Sequence, residues 1–277
     1  MKIAVVGLGL IGGSFCKAIS KRTPHSCFGI DINKCTIQSA ISDGAIEKEI
    51  SPTELKEMDM TIVCLHPEQT IEFILENLMH FKKGSVVIDS CGVKGKIINS
   101  VSAKLLERDV TFIGCHPMAG REFSGYNFSL ETLFDNASFI ITPSTTTPYN
   151  NVEHLKGFAK TIGFKKIVIT TADEHDKIIA FTSQLAHIVS SAYIKSPTLN
   201  ERNGFSAGSF LDLTRVAKLN EDMWTALFLM NKAPLIYEID TIIKNLEEYR
   251  EVIINDDSEK LNCLLKEGRI LKEQSDK

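Results

Sequence analysis

The sequence predicts an α/β domain, with a parallel sheet covered by helices on both faces, followed by an all-α domain. Two observations carry this: β-branched runs alternate with helical stretches through the first half, and such runs cease after Ala172. Strands spaced by helices form parallel β-α-β units with right-handed crossovers, and a sheet covered on both faces has strands that are apolar throughout. In order, residues 2–6 read as a buried strand, 13–21 as a helix, 28–31 as a second strand and 37–42 as a short helix. Residues 60–65 and 85–89 read as strands separated by the helical 69–80, and 110–114 and 138–142 read the same way. A helix over 151–162 and a strand over 166–170 close the sheet, which sets the first domain at 1–171 and the second at 172–277.

In the second domain, residues 174–194 carry apolar Ile178, Ile179, Phe181, Leu185, Ile188 and Val189 at helical spacing. A loop rich in Asn, Gly and Ser follows at 197–209, and residues 212–218, 222–247 and 258–272 read as helices. Pro234 lacks an N–H and predicts a kink or break inside the second of these. An all-helical tail with this much apolar surface needs something to pack against; a homodimer through it is one way to cover that surface, and periodicity alone does not establish it.

Of the 277 residues, 43% are hydrophobic and 24% charged, the balance of a soluble globular chain. A net charge of -4 argues against nucleic acid as a partner, because phosphate recognition needs clustered Lys and Arg. No apolar run approaches a membrane span, and Met1 leads straight into a strand pattern with no leader-like segment, so a cytoplasmic protein is expected. Seven scattered cysteines with no CxxC suggest neither zinc nor a redox pair; they read as buried, reduced thiols, and no metal is expected.

The strongest local signal is Gly7-Leu8-Gly9-Leu10-Ile11-Gly12, which follows a strand and opens a helix. In that context G-x-G-x-x-G is a Rossmann-type dinucleotide fingerprint. Gly7 makes the tight turn, Gly9 lets backbone approach a pyrophosphate, Gly12 lets helix and strand pack, and the N–H groups near Leu10 and Ile11 face the anion. Asp31 ends the second strand, 19 residues beyond Gly12. An acidic residue there accepts hydrogen bonds from the adenosine ribose hydroxyls and repels a 2′-phosphate, so the expected cofactor is NAD rather than NADP.

Gly114-Cys115-His116-Pro117-Met118-Ala119-Gly120-Arg121-Glu122 lies where a strand of this sheet ends, the edge at which such sheets bind ligands. A carbon that loses hydride while bearing a hydroxyl needs a proton acceptor, and a histidine of pKa about 6.5 suits that task. Taken singly, His116 reads first as a histidine that only hydrogen-bonds a turn. His187, between Leu185 and Ile188, reads equally as a core histidine. Arg215 reads as a carboxylate clamp or as the partner of Asp212, and Trp224 as a pocket wall or as core.

Read together with Ser183 to His187 and Asp212-Leu213-Thr214-Arg215-Val216-Ala217 ending in Met223-Trp224, these segments resemble the prephenate dehydrogenase family, which includes arogenate and cyclohexadienyl dehydrogenases. The resemblance runs from Met1 to about Leu246. It implies oxidative decarboxylation of prephenate to 4-hydroxyphenylpyruvate with NAD, on the route to tyrosine, by a protein that dimerises through its helical domain. It also implies that His116 draws off the ring hydroxyl proton, that Arg215 binds a substrate carboxylate and that His187 helps hold the side chain. By the same resemblance Glu122 sits at the mouth of the site, and Gly208, Trp224 and Gln184 belong to the substrate pocket.

Three departures from the family pattern stand out. The serine usual before Val-Lys is Gly92, leaving Ser90 or a water to replace its hydroxyl. Gln184 and Ala186 stand where the helix motif usually has His and Pro. The glycine-rich run before Asp212 is thinned to Ser206-Ala207-Gly208-Ser209. These leave the reaction class intact and put prephenate against arogenate as the open question. The rivals are a β-hydroxyacid dehydrogenase, against which the His-Pro-Met-Ala-Gly run argues, and a non-catalytic NAD-binding regulator, which gives no reason for a base beside a carboxylate clamp.

Overall fold

The computed structural model describes residues 1–121, 123–205 and 207–276. Its elements in chain order are β1 (Lys2–Val6), α1 (Leu10–Arg22), β2 (Ser26–Ile30), α2 (Lys34–Ser42), β3 (Lys48–Glu49), β4 (Met60–Val63), α3 (Pro67–Glu76), β5 (Val86–Asp89), α4 (Gly95–Leu106), β6 (Thr111–Met118), β7 (Ser138–Thr142), α5 (Tyr149–Thr161) and β8 (Lys166–Ile169). There follow α6 (Ala172–Ile179), α7 (Leu185–Tyr193), α8 (Gly208–Thr214), α9 (Glu221–Met230), α10 (Lys232–Ile254) and α11 (Ser258–Ser275). The chain forms two compact units, Met1–Ile179 with Leu219–Asn231, and Ala180–Lys218 with Lys232–Lys277.

The first unit is built on an eight-stranded sheet in the order β3-β2-β1-β4-β5-β6-β7-β8. Strand alternation sends Ile3 and Val5 to one face, with Phe15, Ile62, Ile113 and Phe139, and Ala4 and Val6 to the other, with Val63, Val87, Ile97 and Phe112. Both faces are therefore core, and β1 and β4 are apolar on both sides for that reason. The chain runs outward from β1 to β3 and returns to the other flank of β1 at β4. This creates the topological switch point at which α/β sheets open a ligand crevice.

One expectation is corrected. β7 pairs with β6 antiparallel, Gly114 opposite Thr142 and Met118 opposite Ser138, rather than continuing the parallel series. A parallel return is usually made through a helix, and among the described residues of 119–137 the regular structure is a short 3₁₀ turn at Tyr126–Phe128. That segment instead buries Phe134 against Phe15 and Phe164, with ring centroids 4.5 and 4.7 Å away. The next crossover does contain a helix, α5, and β8 lies parallel to β7.

Helix α4 is an element that the sequence reading missed. Its N-cap, Lys94, offers no capping side chain. The cap is supplied from far along the chain: Asp176 accepts from the Lys94 and Gly95 backbone N–H groups, each at 2.8 Å.

In the second unit, α7 follows a π-helical turn at Ala180–Gln184 that continues the chain from α6. Pro234 stands in the first turn of α10, where its missing N–H leaves no helical bond unmade, and the helix break falls just before it at Asn231. The cysteine expectation also needs correction, since Cys35 on α2 and Cys263 on α11 are exposed.

Candidate active site

The glycine turn leaves β1 at its carboxyl end. Gly7 has φ +83°, and a Cβ there would meet the Cys64 carbonyl oxygen at 2.7 Å. A Cβ on Gly12 would lie 1.9 Å from the Gly7 carbonyl oxygen, so α1 packs against the turn only because that position is bare. A Cβ on Gly9 would meet nothing within 4 Å, so open space lies where α1 begins at Leu10. Gly9, the N-cap, has no side chain to cap that helix, which suits its first N–H groups to an anion. Asp31 Oδ2 accepts from the Leu8 N–H at 2.7 Å and Oδ1 from the Asn33 N–H at 2.8 Å. The carboxylate is thus pinned beside the turn, and each oxygen has a second lone pair for a ribose hydroxyl. Open space over helix N–H groups, flanked by a fixed carboxylate, fits a dinucleotide.

Along the same edge of the sheet, β6 runs beyond the end of β5 and carries His116, half-buried. His116 Nδ1 is 2.9 Å from His175 Nε2, and His175 Nδ1 is 2.7 Å from Asp176 Oδ1. His175 and Asp176, both buried on α6, are held in turn by the α4 N–H groups and by Asn231, whose side-chain N–H donates to the Asp176 carbonyl at 2.8 Å. Beneath lies a fully buried ion pair, Lys94 with Asp89. Lys94 Nζ also donates to the Cys115 carbonyl at 2.8 Å, and Asp89 accepts from the Cys115 and Cys91 N–H groups at 2.9 and 3.0 Å. These bonds tie the loop after β5 to the strand that bears His116.

Burial, then the neighbouring His175 and the Lys94 ammonium, hold His116 well below the usual histidine pKa. It is therefore a neutral ring at ordinary pH, the form a proton acceptor must have. A Cβ on Gly92 would stand 4.0 Å from His116 Nε2 and 3.5 Å from Leu227, so the bare position lies directly beside that nitrogen. Burial pushes the Cys91 thiol up to about 12 and raises Cys115 well above its ordinary value, so neither supplies a thiolate.

Trp224 belongs to this first unit. It is half-buried on α9, packs with Met223 against the apolar cluster around Val93 and Leu227, and lies 5.3 Å from the Phe228 ring. In the second unit, His187 on α7 and Arg215 are brought together: His187 Nδ1 is 2.9 Å from the carbonyl of Val216, next to Arg215 in a 3₁₀ turn. Partial burial lowers the His187 pKa, opposed by the Val216 bond, and the Arg215 charge lowers it further. The Arg215 side chain is exposed, Gln184 is buried in the π-helical turn, and Gly208 opens α8. Glu122 lies outside the described residues.

The His175–Asp176 dyad and the Lys94–Asp89 pair were missed as functional residues. The partner of His175 lies 59 residues away and leaves no periodicity to find.

Comparison with known proteins bears on the whole chain. Residues 15–168 match the family model for the nucleotide-binding domain of prephenate dehydrogenase, and residues 171–267 match that for its dimerization domain. The chain belongs to the prephenate dehydrogenase family. It is 32% identical to the prephenate dehydrogenase of Bacillus subtilis over 269 residues, covering 94% of this chain and 72% of that protein. The crystal structure of the Aquifex aeolicus prephenate dehydrogenase with hydroxyphenyl propionate and NAD+ superposes with a TM-score of 0.87 at 27% identity, covering 99% and 98% of the two chains. The Synechocystis arogenate dehydrogenase structure gives the same TM-score at 25% identity, covering 99% of this chain and all of that one. Among the described residues, no helix is long and apolar enough to cross a membrane.

Proposed function

We propose that this protein catalyses the NAD-dependent oxidative decarboxylation of prephenate to 4-hydroxyphenylpyruvate, in the cytoplasm, as a step toward tyrosine. The observation that carries the reading is the neutral, backed His116 at the carboxyl edge of a sheet whose first turn fits a dinucleotide. The functional division is near residue 171, which the meeting of the two family matches at 168–171 supports.

Gly7, Gly9 and Gly12 with the Leu10 and Ile11 backbone hold the pyrophosphate, and Asp31 holds the adenosine ribose. What NAD supplies when bound is a hydride acceptor. His116 Nε2 takes the proton of the ring hydroxyl as the C–H bond at the same carbon gives up its hydride. The ring carboxylate leaves as carbon dioxide, its bonding electrons complete the aromatic ring, and the proton returns to the phenolic oxygen. Aromatisation drives the reaction, so the protein needs chiefly to position the ring and supply one base. Arg215 binds a substrate carboxylate as a guanidinium fork, with His187 beside it. Gln184, Gly208, Trp224 and Glu122 complete the substrate contacts, and the helical unit makes the homodimer.

A second reading, arogenate as substrate, is favoured by the equal likeness to the Synechocystis arogenate dehydrogenase. One experiment decides between them: purified protein with NAD is given prephenate or arogenate and the absorbance of the reduced cofactor is followed. A rise with prephenate alone is expected. A rise with arogenate alone moves the specificity, a rise with both marks a cyclohexadienyl dehydrogenase, and no rise with either overturns the reading.

A further inference from the structure

We propose that His175 and Asp176 are positioning residues that set the tautomer of His116, so that its Nε2 carries a lone pair toward the reacting hydroxyl. The inference rests on the proposed role of His116 as the base and adds the device that makes the ring a base on the correct side.

The argument follows donors and acceptors along the chain of contacts. An ionised carboxylate only accepts hydrogen bonds. Asp176 Oδ1, which already accepts from the Lys94 N–H at 2.8 Å, faces His175 Nδ1 at 2.7 Å, so Nδ1 of His175 is the protonated nitrogen. A neutral His175 then presents a bare Nε2. That nitrogen stands 2.9 Å from His116 Nδ1, which must donate. A neutral His116 with its proton on Nδ1 presents a bare Nε2, the nitrogen nearest the open position at Gly92. One carboxylate thus fixes two rings in series.

The dyad is itself held from several sides. Asp176 Oδ2 accepts from the Gly95 N–H, the Asp176 carbonyl accepts from Asn231, and His175 is 1% exposed, so water does not compete for its nitrogens. Among the described residues, the charged groups beside His116 include the Lys94 ammonium, paired with Asp89, and Asp176 behind His175. When His116 Nε2 gains the hydroxyl proton, its Nδ1–H still donates to His175, and the carboxylate behind faces the new positive charge. Orienting a base through a buried acidic partner is the logic of hydrolase triads, in which reversing the tautomer lowers turnover about 10,000-fold.

The test is nitrogen NMR of the protein labelled with ¹⁵N-histidine, with NAD bound, the His116 signals being assigned by their loss in His116→Asn. The expected spectrum at neutral pH has a protonated Nδ1 and a bare Nε2 on His116. A proton on His116 Nε2, which a doubly protonated His175 would also impose, overturns the proposal whatever the activity. Kinetics add a second readout. His175→Leu is expected to lower kcat by roughly two to four orders of magnitude with NAD affinity unchanged. His175→Gln, whose amide oxygen can still accept from His116, is expected to recover a large part of that loss. Equal turnover of the Leu and Gln variants contradicts the proposal. Absence of turnover by the unaltered protein on prephenate and arogenate, with the expected tautomer present, overturns the functional reading and leaves the tautomer assignment standing.

Discussion

His116 is unusual first for the sign of its titration. Its pKa is depressed, chiefly by burial and then by His175 and Lys94. The base works only unprotonated, so activity is lost when pH falls far enough to charge it. The acid limb of kcat/KM is therefore expected below the ordinary histidine value of about 6.5, and a limb at or above that value would detach the limb from His116. Stability carries the same sign: below about 6.5 the unfolded chain takes up a proton that folded His116 resists, so this residue lowers stability as the medium becomes more acidic. His116→Asn is expected to bind NAD normally in a fluorescence titration while turnover drops by roughly two to four orders of magnitude. Asp31 invites a parallel test, in which Asp31→Ser weakens NAD more than NADP; an unchanged preference would remove it from the ribose site. Asp31 and the glycine turn were legible in the sequence because their partners are near neighbours of the first two strands. His175 was not, because only the fold brings it to His116.

At the level of the element, the turn between β1 and α1 separates folding from binding. Gly9→Ala and Gly12→Ala are chemically the same change in one loop. A methyl on Gly12 would overlap the Gly7 carbonyl, whereas one on Gly9 enters open space at a backbone φ of -73° that any residue adopts. Gly12→Ala is therefore expected to destabilise by roughly 1–3 kcal/mol, as overpacking does. Gly9→Ala should leave the unfolding midpoint nearly unmoved and weaken NAD at least tenfold, because its methyl occupies the anion's approach. Calorimetric unfolding and NAD titration of the two variants check this, and a stable Gly12→Ala or an unaffected NAD affinity in Gly9→Ala contradicts it. The strands that the sequence made legible, β1, β2 and β4 through β8, are those whose apolar, β-branched runs write a local pattern, whereas β3 is only the two residues Lys48–Glu49. The direction of β7 was not legible, because it depends on what the preceding segment buries, and α4 was not, because its cap comes from Asp176 on α6.

For the whole molecule, the distribution of apolar surface sets the last prediction. Ile236, Ile243, Leu246 and Ile253 of α10 are exposed in the single chain, and their spacings of seven, three and seven residues put them on one helix face. Leu265, Ile270 and Leu271 add exposed apolar side chains on α11, which packs along α10. Monomeric proteins scatter such residues singly, and a continuous stripe marks a surface that is covered in use. The match of residues 171–267 to a dimerization domain supports a second copy of the chain as the cover. The protein is therefore expected to sediment as a dimer at micromolar concentration. Leu246→Lys combined with Ile253→Lys should give a monomer, since Leu246 is 60% and Ile253 59% exposed and neither change empties a core. Two buried lysines facing their counterparts across a twofold axis would repel as well as desolvate, which is why charge is a stronger test than alanine. Far-UV circular dichroism should be unchanged, which separates loss of the interface from loss of the helix. A double variant that remains dimeric would place the interface elsewhere, and an unaltered protein that sediments as a monomer would contradict the dimer and leave the apolar face of α10 for another partner.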